Sequence, residues 1–145
     1  MLSTKVRYAT RIMVYLASRE DLSPATKHEI SEAEGITPDY IEQIMILLKS
    51  GGVVKSFRGR NGGFALTRTP EQITLLDILT AVEGPICPAP CIHDESCHRR
   101  SQCTTRHVWQ QATNMLEGLF SQTTLLETVE KSNACKSAVP LTYTI

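Results

Sequence analysis

The segment "ITPDYIEQIMILLKSGGVVKSFRGRNGGFALTR", residues 36–68, leaves this chain few folds to choose from. Thr37 is a good N-cap, and Pro38 suits the first helical position, where a missing N–H is no loss. Ile41, Ile44, Met45 and Leu48 recur at helical spacing and predict one buried face, and Gly51-Gly52 ends the helix. "VVKSF" and "FALTR" are β-type runs joined by the glycine-rich "RGRNGG", which is a hairpin signal. Just upstream, "ATKHEISEAEG" predicts a shorter helix over Thr26 to Ala33, stopped by Gly35 in a left-handed conformation. Two helices joined by a short Gly-containing turn form a helix-turn-helix. A basic hairpin directly after it makes a winged helix. The plainer reading, a small α+β core with a surface hairpin, fits this order of elements less well.

The flanking sequence adds helices. Val6, Ala9, Ile12, Met13, Leu16 and Ala17 share one face of an N-terminal helix that Ser3 or Thr4 can cap. "TPEQITLLDILTAVEG" predicts a fourth helix, with Thr74 as N-cap and Asp77 in the capping-box position. Val108, Trp109, Ala112, Met115, Leu116, Leu119 and Phe120 mark a long amphipathic helix. That stripe is too large to leave in water, so it packs on its own domain or pairs with a second chain. "SQTTLLETVEK" predicts a short last helix capped by Thr123 or Thr124, with an irregular, flexible tail over 132–145. "IMVYLA" is short and flanked by Arg11 and Arg19, and no apolar run is long enough to span a bilayer. The expected compartment is the cytoplasm, with no membrane partner, and there clustered cysteines point to metal or redox chemistry before disulfides.

The formal net charge is zero, but the charge is unevenly spread. Residues 1–70 carry ten Lys/Arg against seven Asp/Glu (+3), and residues 71–145 carry five against eight (−3). Lys49 to Arg68 holds five basic residues and no acidic one, a local patch suited to phosphate. A helix fits the major groove and reads base edges from its first turns. The candidates off the buried face are Thr37, Asp39, Tyr40, Glu42 and Gln43. Glu42 can accept from a cytosine amino group and Gln43 can bond adenine bidentately. Arg58 and Arg60 in the wing are placed for a minor groove or phosphates, and Lys49, Lys55 and Arg7 for sequence-blind contacts. No nucleophile–base pair, phosphate-cradling loop or spaced carboxylate pair argues for an enzyme.

Four of the five cysteines fall in "CPAPCIHDESCHRRSQC", residues 87–103, spaced x3, x5 and x5. Zinc knuckles use shorter paired gaps, whereas a cluster's ligands wrap around more than one iron and need longer reach. Three readings stand: an iron–sulfur cluster, zinc, and redox-active thiols.

From "LSTKVRYATRIMVYLA" through "GITPDYIEQIMILLKSGGVVKSFRGRNGGFAL", "ITLLDILTAVEG", the cysteine loop and "VWQQAT", the chain resembles the Rrf family of winged-helix regulators. Its wing and its Cys-x5-Cys-x5-Cys spacing are the most specific parts of that resemblance. The resemblance implies a mainly α fold with a small β-hairpin wing and a long dimerisation helix. It divides the chain into a winged helix-turn-helix over 1–82 (helix-turn-helix about 26–50, wing about 53–67), a cluster-binding loop over 83–105, and a dimerisation helix with a short C-terminal helix over 106–131. It implies a homodimeric transcription factor, a repressor, on a pseudo-palindromic double-stranded operator. Cys91, Cys97 and Cys103 would ligate a cluster, commonly 2Fe–2S, that senses iron–sulfur status, redox or nitric oxide. The alternative is a cluster-free or zinc-binding winged-helix protein acting through protein contacts or thiol oxidation. The family's fourth ligand does not carry over. The histidine of its cluster regulators falls on Arg106, and the N-terminal aspartate of its nitric-oxide sensors falls on Arg7. His107, His93, His98, Cys87 or a small exogenous ligand remain as candidates, with Cys135 outside the loop.

Overall fold

The computed structural model describes residues 2–92 and 95–138. Among these residues six α-helices and one hairpin run in chain order, with short 3-10 turns between some of them: α1 (Thr4–Ala17), α2 (Lys27–Glu34), α3 (Pro38–Ser50), β1 (Val54–Phe57), β2 (Gly63–Leu66), α4 (Leu75–Glu83), α5 (Arg106–Gln122) and α6 (Leu125–Ala138). Local chemistry sets most boundaries. Ser3 Oγ accepts from Val6 N–H to start α1. Thr26 and Glu29 form a full capping box on α2, and Gly35 closes that helix at φ 65°. Thr74 and Asp77 form a second box on α4, and Thr124 with Glu127 completes a third on α6. Thr37 holds the N-cap position of α3 with no side-chain bond to the helix, so Pro38 and the backbone make that start.

The core lies where α1, α2, α3 and α4 meet. Ile12, Met13, Ile30, Ile41, Ile44, Leu48, Ile73 and Ile78 are fully buried there, joined by Leu125 from α6. α3 ends against α4 without a spacer: a Cβ added at Gly51 would collide with the Ala81 side chain. β1 and β2 pair antiparallel, with Val54 opposite Leu66 and Phe57 opposite Gly63. The wing is fixed to the helix-turn-helix by a two-bond bridge, Ala25 N–H to Phe64 C=O (2.9 Å) and Phe64 N–H to Ala25 C=O (2.8 Å). Gly63, at φ 139°, permits this approach, since a side chain there would strike the Ala25 carbonyl.

One feature departs from the sequence-based expectation. The last helix does not stop near Lys131; it continues to Ala138, so 132–138 is helical and not an irregular tail. "SNACKSA" carries no apolar period to announce a helix, but α6 is seated by buried Leu125 and Val129, and Ser132 and Lys136 line a cleft with α1 residues. The rest of the expected tail, 139–145, lies outside the described residues. The stripe on α5 is only partly covered by its own domain: Phe120 packs against the core, whereas Met115 is 75% exposed and Leu119 59%.

Candidate nucleic-acid interface and cysteine loop

α3 places its side chains as the spacing requires. With Ile41, Ile44, Met45 and Leu48 turned inward, Thr37, Asp39, Glu42, Gln43 and Lys49 stand exposed. Tyr40 differs: its half-buried ring lies edge-on to Tyr8 at 5.8 Å and packs α3 on α1. Glu42 is not a free acceptor, because Lys27 Nζ on α2 donates to it at 2.9 Å. The bond and charge of Glu42 raise the Lys27 pKa above its ordinary value. An exposed pair of this kind is worth little and can open toward another partner.

Arg58 and Arg60 project from the hairpin tip into solvent, and Lys55 lies 5.4 Å over the Phe57 ring on the same hairpin. The Ala25–Phe64 bridge therefore carries the wing cations at a fixed position relative to α3. Arg7 belongs elsewhere. It lines a cleft with Leu75, Leu79 and Phe120, which groups it with α4 and α5 and not with α3 and the wing.

The cysteine loop leaves α4 through Gly84, at φ 82°, and is anchored by two buried isoleucines, Ile86 and Ile92. Arg106, in the first turn of α5, reaches back across the loop. Its guanidinium donates to the carbonyls of Ile92 (3.0 Å) and Cys91 (3.4 Å). The residue standing where a histidine ligand was expected is thus a clamp on the loop backbone. A further exposed pair, Arg100 with Glu95 at 3.6 Å, lies within the loop.

All five cysteines are free thiols. Cys91 is exposed, and Cys97 and Cys103 are half-buried. The Thr105 hydroxyl, 3.6 Å from Cys103 Sγ, lowers that thiol's pKa, helped by the Thr105 and Arg106 backbone N–H groups and the charge of Arg99. Three soft donors on one short segment suit iron or zinc. Among the described residues, though, no three His, Cys, Asp or Glu side chains are gathered closely enough to hold a metal ion. Cys87 lines a cavity of about 390 Å³ with Ile86, Leu116 and Phe120, a lining that contains none of the other cysteines. His98 and His107 are exposed, Cys135 sits exposed on α6, and His93 lies outside the described residues.

Sequence reasoning missed Lys27 and the clamping role of Arg106. Both are long side chains reaching an element fifteen or fourteen residues away, and a one-dimensional pattern gives no register between such elements.

Residues 2–131 match the family model described as "Rrf2: Iron-dependent Transcriptional regulator". The chain is 33% identical to the HTH-type transcriptional regulator CymR of Bacillus subtilis, over 86% of each chain. The solved structure of CymR, the global cysteine regulator of B. subtilis, superposes with a TM-score of 0.74 at 30% identity, covering 90% of this chain and 97% of that one. IscR of Serratia proteamaculans is 30% identical over 91% of this chain and 80% of its own. The T. potens IscR structure gives a TM-score of 0.75 at 27% identity, covering 99% of this chain and 94% of that one.

Proposed function

The chain belongs to the Rrf2 family of transcriptional regulators, and on that premise we propose that it is a homodimeric repressor whose grip on a pseudo-palindromic operator is set by an iron–sulfur cluster on Cys91, Cys97 and Cys103. α3 reads base edges through Thr37, Asp39 and Gln43, with Glu42 recruited when it leaves Lys27 and Tyr40 bracing the helix on α1. Arg58 and Arg60 hold the flanking backbone. The exposed face of α5 pairs with its copy, setting two winged helices about one helical turn apart on DNA.

The observation that carries the reading is a continuous mechanical path. Arg106 holds the Cys91–Ile92 backbone, Ile86 joins that loop to the end of α4, and α4 touches α3 at Ala81 and Gly51. Whatever rearranges the loop therefore presses on the reading helix. When bound, the cluster would supply an iron centre responsive to oxidant, nitric oxide or iron supply. Since a guanidinium stands at position 106 and offers no lone pair to a metal, the fourth donor comes from His107, His93, His98, Cys87 or a small exogenous ligand. A free-energy difference of about 1.4–3 kcal/mol between loop states changes DNA affinity about 10- to 100-fold.

The test is anaerobic purification with visible spectroscopy, paired with DNA-binding titrations of loaded and stripped protein. Red-brown protein containing iron and sulfide, with affinities at least tenfold apart, is the expected result. Colourless protein with stoichiometric zinc, or equal affinities in both states, overturns cluster control in favour of a zinc-holding or thiol-oxidation regulator.

A further inference from the structure

We propose that Ile46 is a specificity-determining residue that reads the C5-methyl group of a thymine in each operator half-site. The inference rests on α3 being the reading helix. Ile46 is 62% exposed although it lies in the middle of that helix. Single exposed apolar residues are ordinary on protein surfaces, so exposure alone decides nothing. Position does. Glu42, Gln43 and Lys49 fall within three or four residues of Ile46, and Asp39 lies two turns before it, on the same side of the helix, opposite the buried Ile41, Ile44, Met45 and Leu48. The aliphatic group is therefore the centre of an otherwise polar and charged face.

A β-branched residue there helps neither the isolated helix nor the core, because β-branching lowers helix propensity and the side chain buries little. Its contribution must come from what docks on the face. The cations of the same winged helix-turn-helix, Lys27 and Lys49 on the helices and Lys55, Arg58 and Arg60 on the wing, favour a polyanion. In the major groove of B-DNA the apolar group offered to a side chain is the thymine methyl. Ile46 lies three residues beyond Gln43, about 4.5 Å along the axis. The methyl it covers therefore sits about one to two base pairs from the base read by Gln43. With Glu42 held by Lys27, Ile46 and Gln43 are the two side chains of this turn best placed to discriminate.

The experiment selects duplexes from a randomised pool with the full-length protein. It then replaces each thymine of the selected operator by deoxyuridine, which removes only the methyl. The wild type is expected to lose affinity about fourfold at one thymine per half-site, the value of roughly one buried methyl-sized group. Ile46→Ala and Ile46→Ser should bind the thymine and deoxyuridine versions of that site equally, with unchanged helix content, since the side chain leaves no hole in the core. Tight operator binding that is indifferent to every thymine methyl overturns the inference, as does a methyl effect that survives both substitutions. A wild-type protein that enriches no duplex overturns the DNA-binding reading beneath it, which is a separate result.

Discussion

α3 and α5 are both amphipathic, yet they treat their apolar faces in opposite ways. Ile41, Ile44 and Leu48 of α3 are fully buried, while Met115 and Leu119 of α5 are more than half exposed in the same protomer. The lesson is that an apolar stripe states a need for cover without saying what provides it. α3 is enclosed by α1, α2 and α4, which adjoin it in sequence or pack across it. α5 follows the cysteine loop, whose buried Ile86 and Ile92 leave Met115 and Leu119 uncovered, and under the proposed homodimer a second copy of α5 covers them.

The widest contrast to expect is between substitutions on the two stripes. Ile44→Ala should remove about 2–5 kcal/mol from folding, the cost of a truncated core side chain, at any protein concentration and readable by urea denaturation. Leu119→Lys should leave the far-ultraviolet spectrum of a folded helical protein while abolishing the dimer by light scattering. The concentration dependence of Tm should vanish with the dimer. If Leu119→Lys unfolds the chain, or leaves a dimer intact, the contrast between the helices fails.

A smaller effect separates the loop from the core. Arg106→Ala removes two guanidinium bonds to backbone carbonyls, worth about 0.5–1.5 kcal/mol each, from a segment that contributes little to the packed centre. Amide exchange over residues 86–92 should accelerate while Tm changes little. Unchanged exchange would mean that Ile86 and Ile92 hold the loop unaided.

The smallest effect is in pH. Glu29 has its carboxyl pKa lowered first by the Thr26 backbone N–H and hydroxyl and then by Arg19. A carboxyl whose folded pKa is depressed contributes stability above its unfolded pKa and loses it as pH falls through the lower, folded value. The urea midpoint should therefore decline on acidification below the ordinary carboxylate range, with a shallower slope in Glu29→Gln. An identical slope in both proteins would show that the α2 cap adds nothing.

These regions also differ in how openly the sequence declares them. α2, α4 and α6 begin with a cap and its acidic partner three residues apart, which can be read directly from Thr26/Glu29, Thr74/Asp77 and Thr124/Glu127. The buried face of α3 follows from its spacing in the same way. What could not be read depends on distance. The extension of α6 rests on a cleft against α1, the occupation of Glu42 rests on Lys27 from another helix, and the loop's attachment rests on Arg106. The outward position of Ile46 is legible on a helical wheel, where it falls among polar residues.

Gly51 gives the last consequence. Where it meets Ala81 there is no rotamer to turn and no long side chain to bend, so the joint cannot absorb a displacement by rearranging soft parts. The two helices meet there like a bearing without play. This closeness has a genetic price: almost any replacement at position 51 would prise α3 and α4 apart.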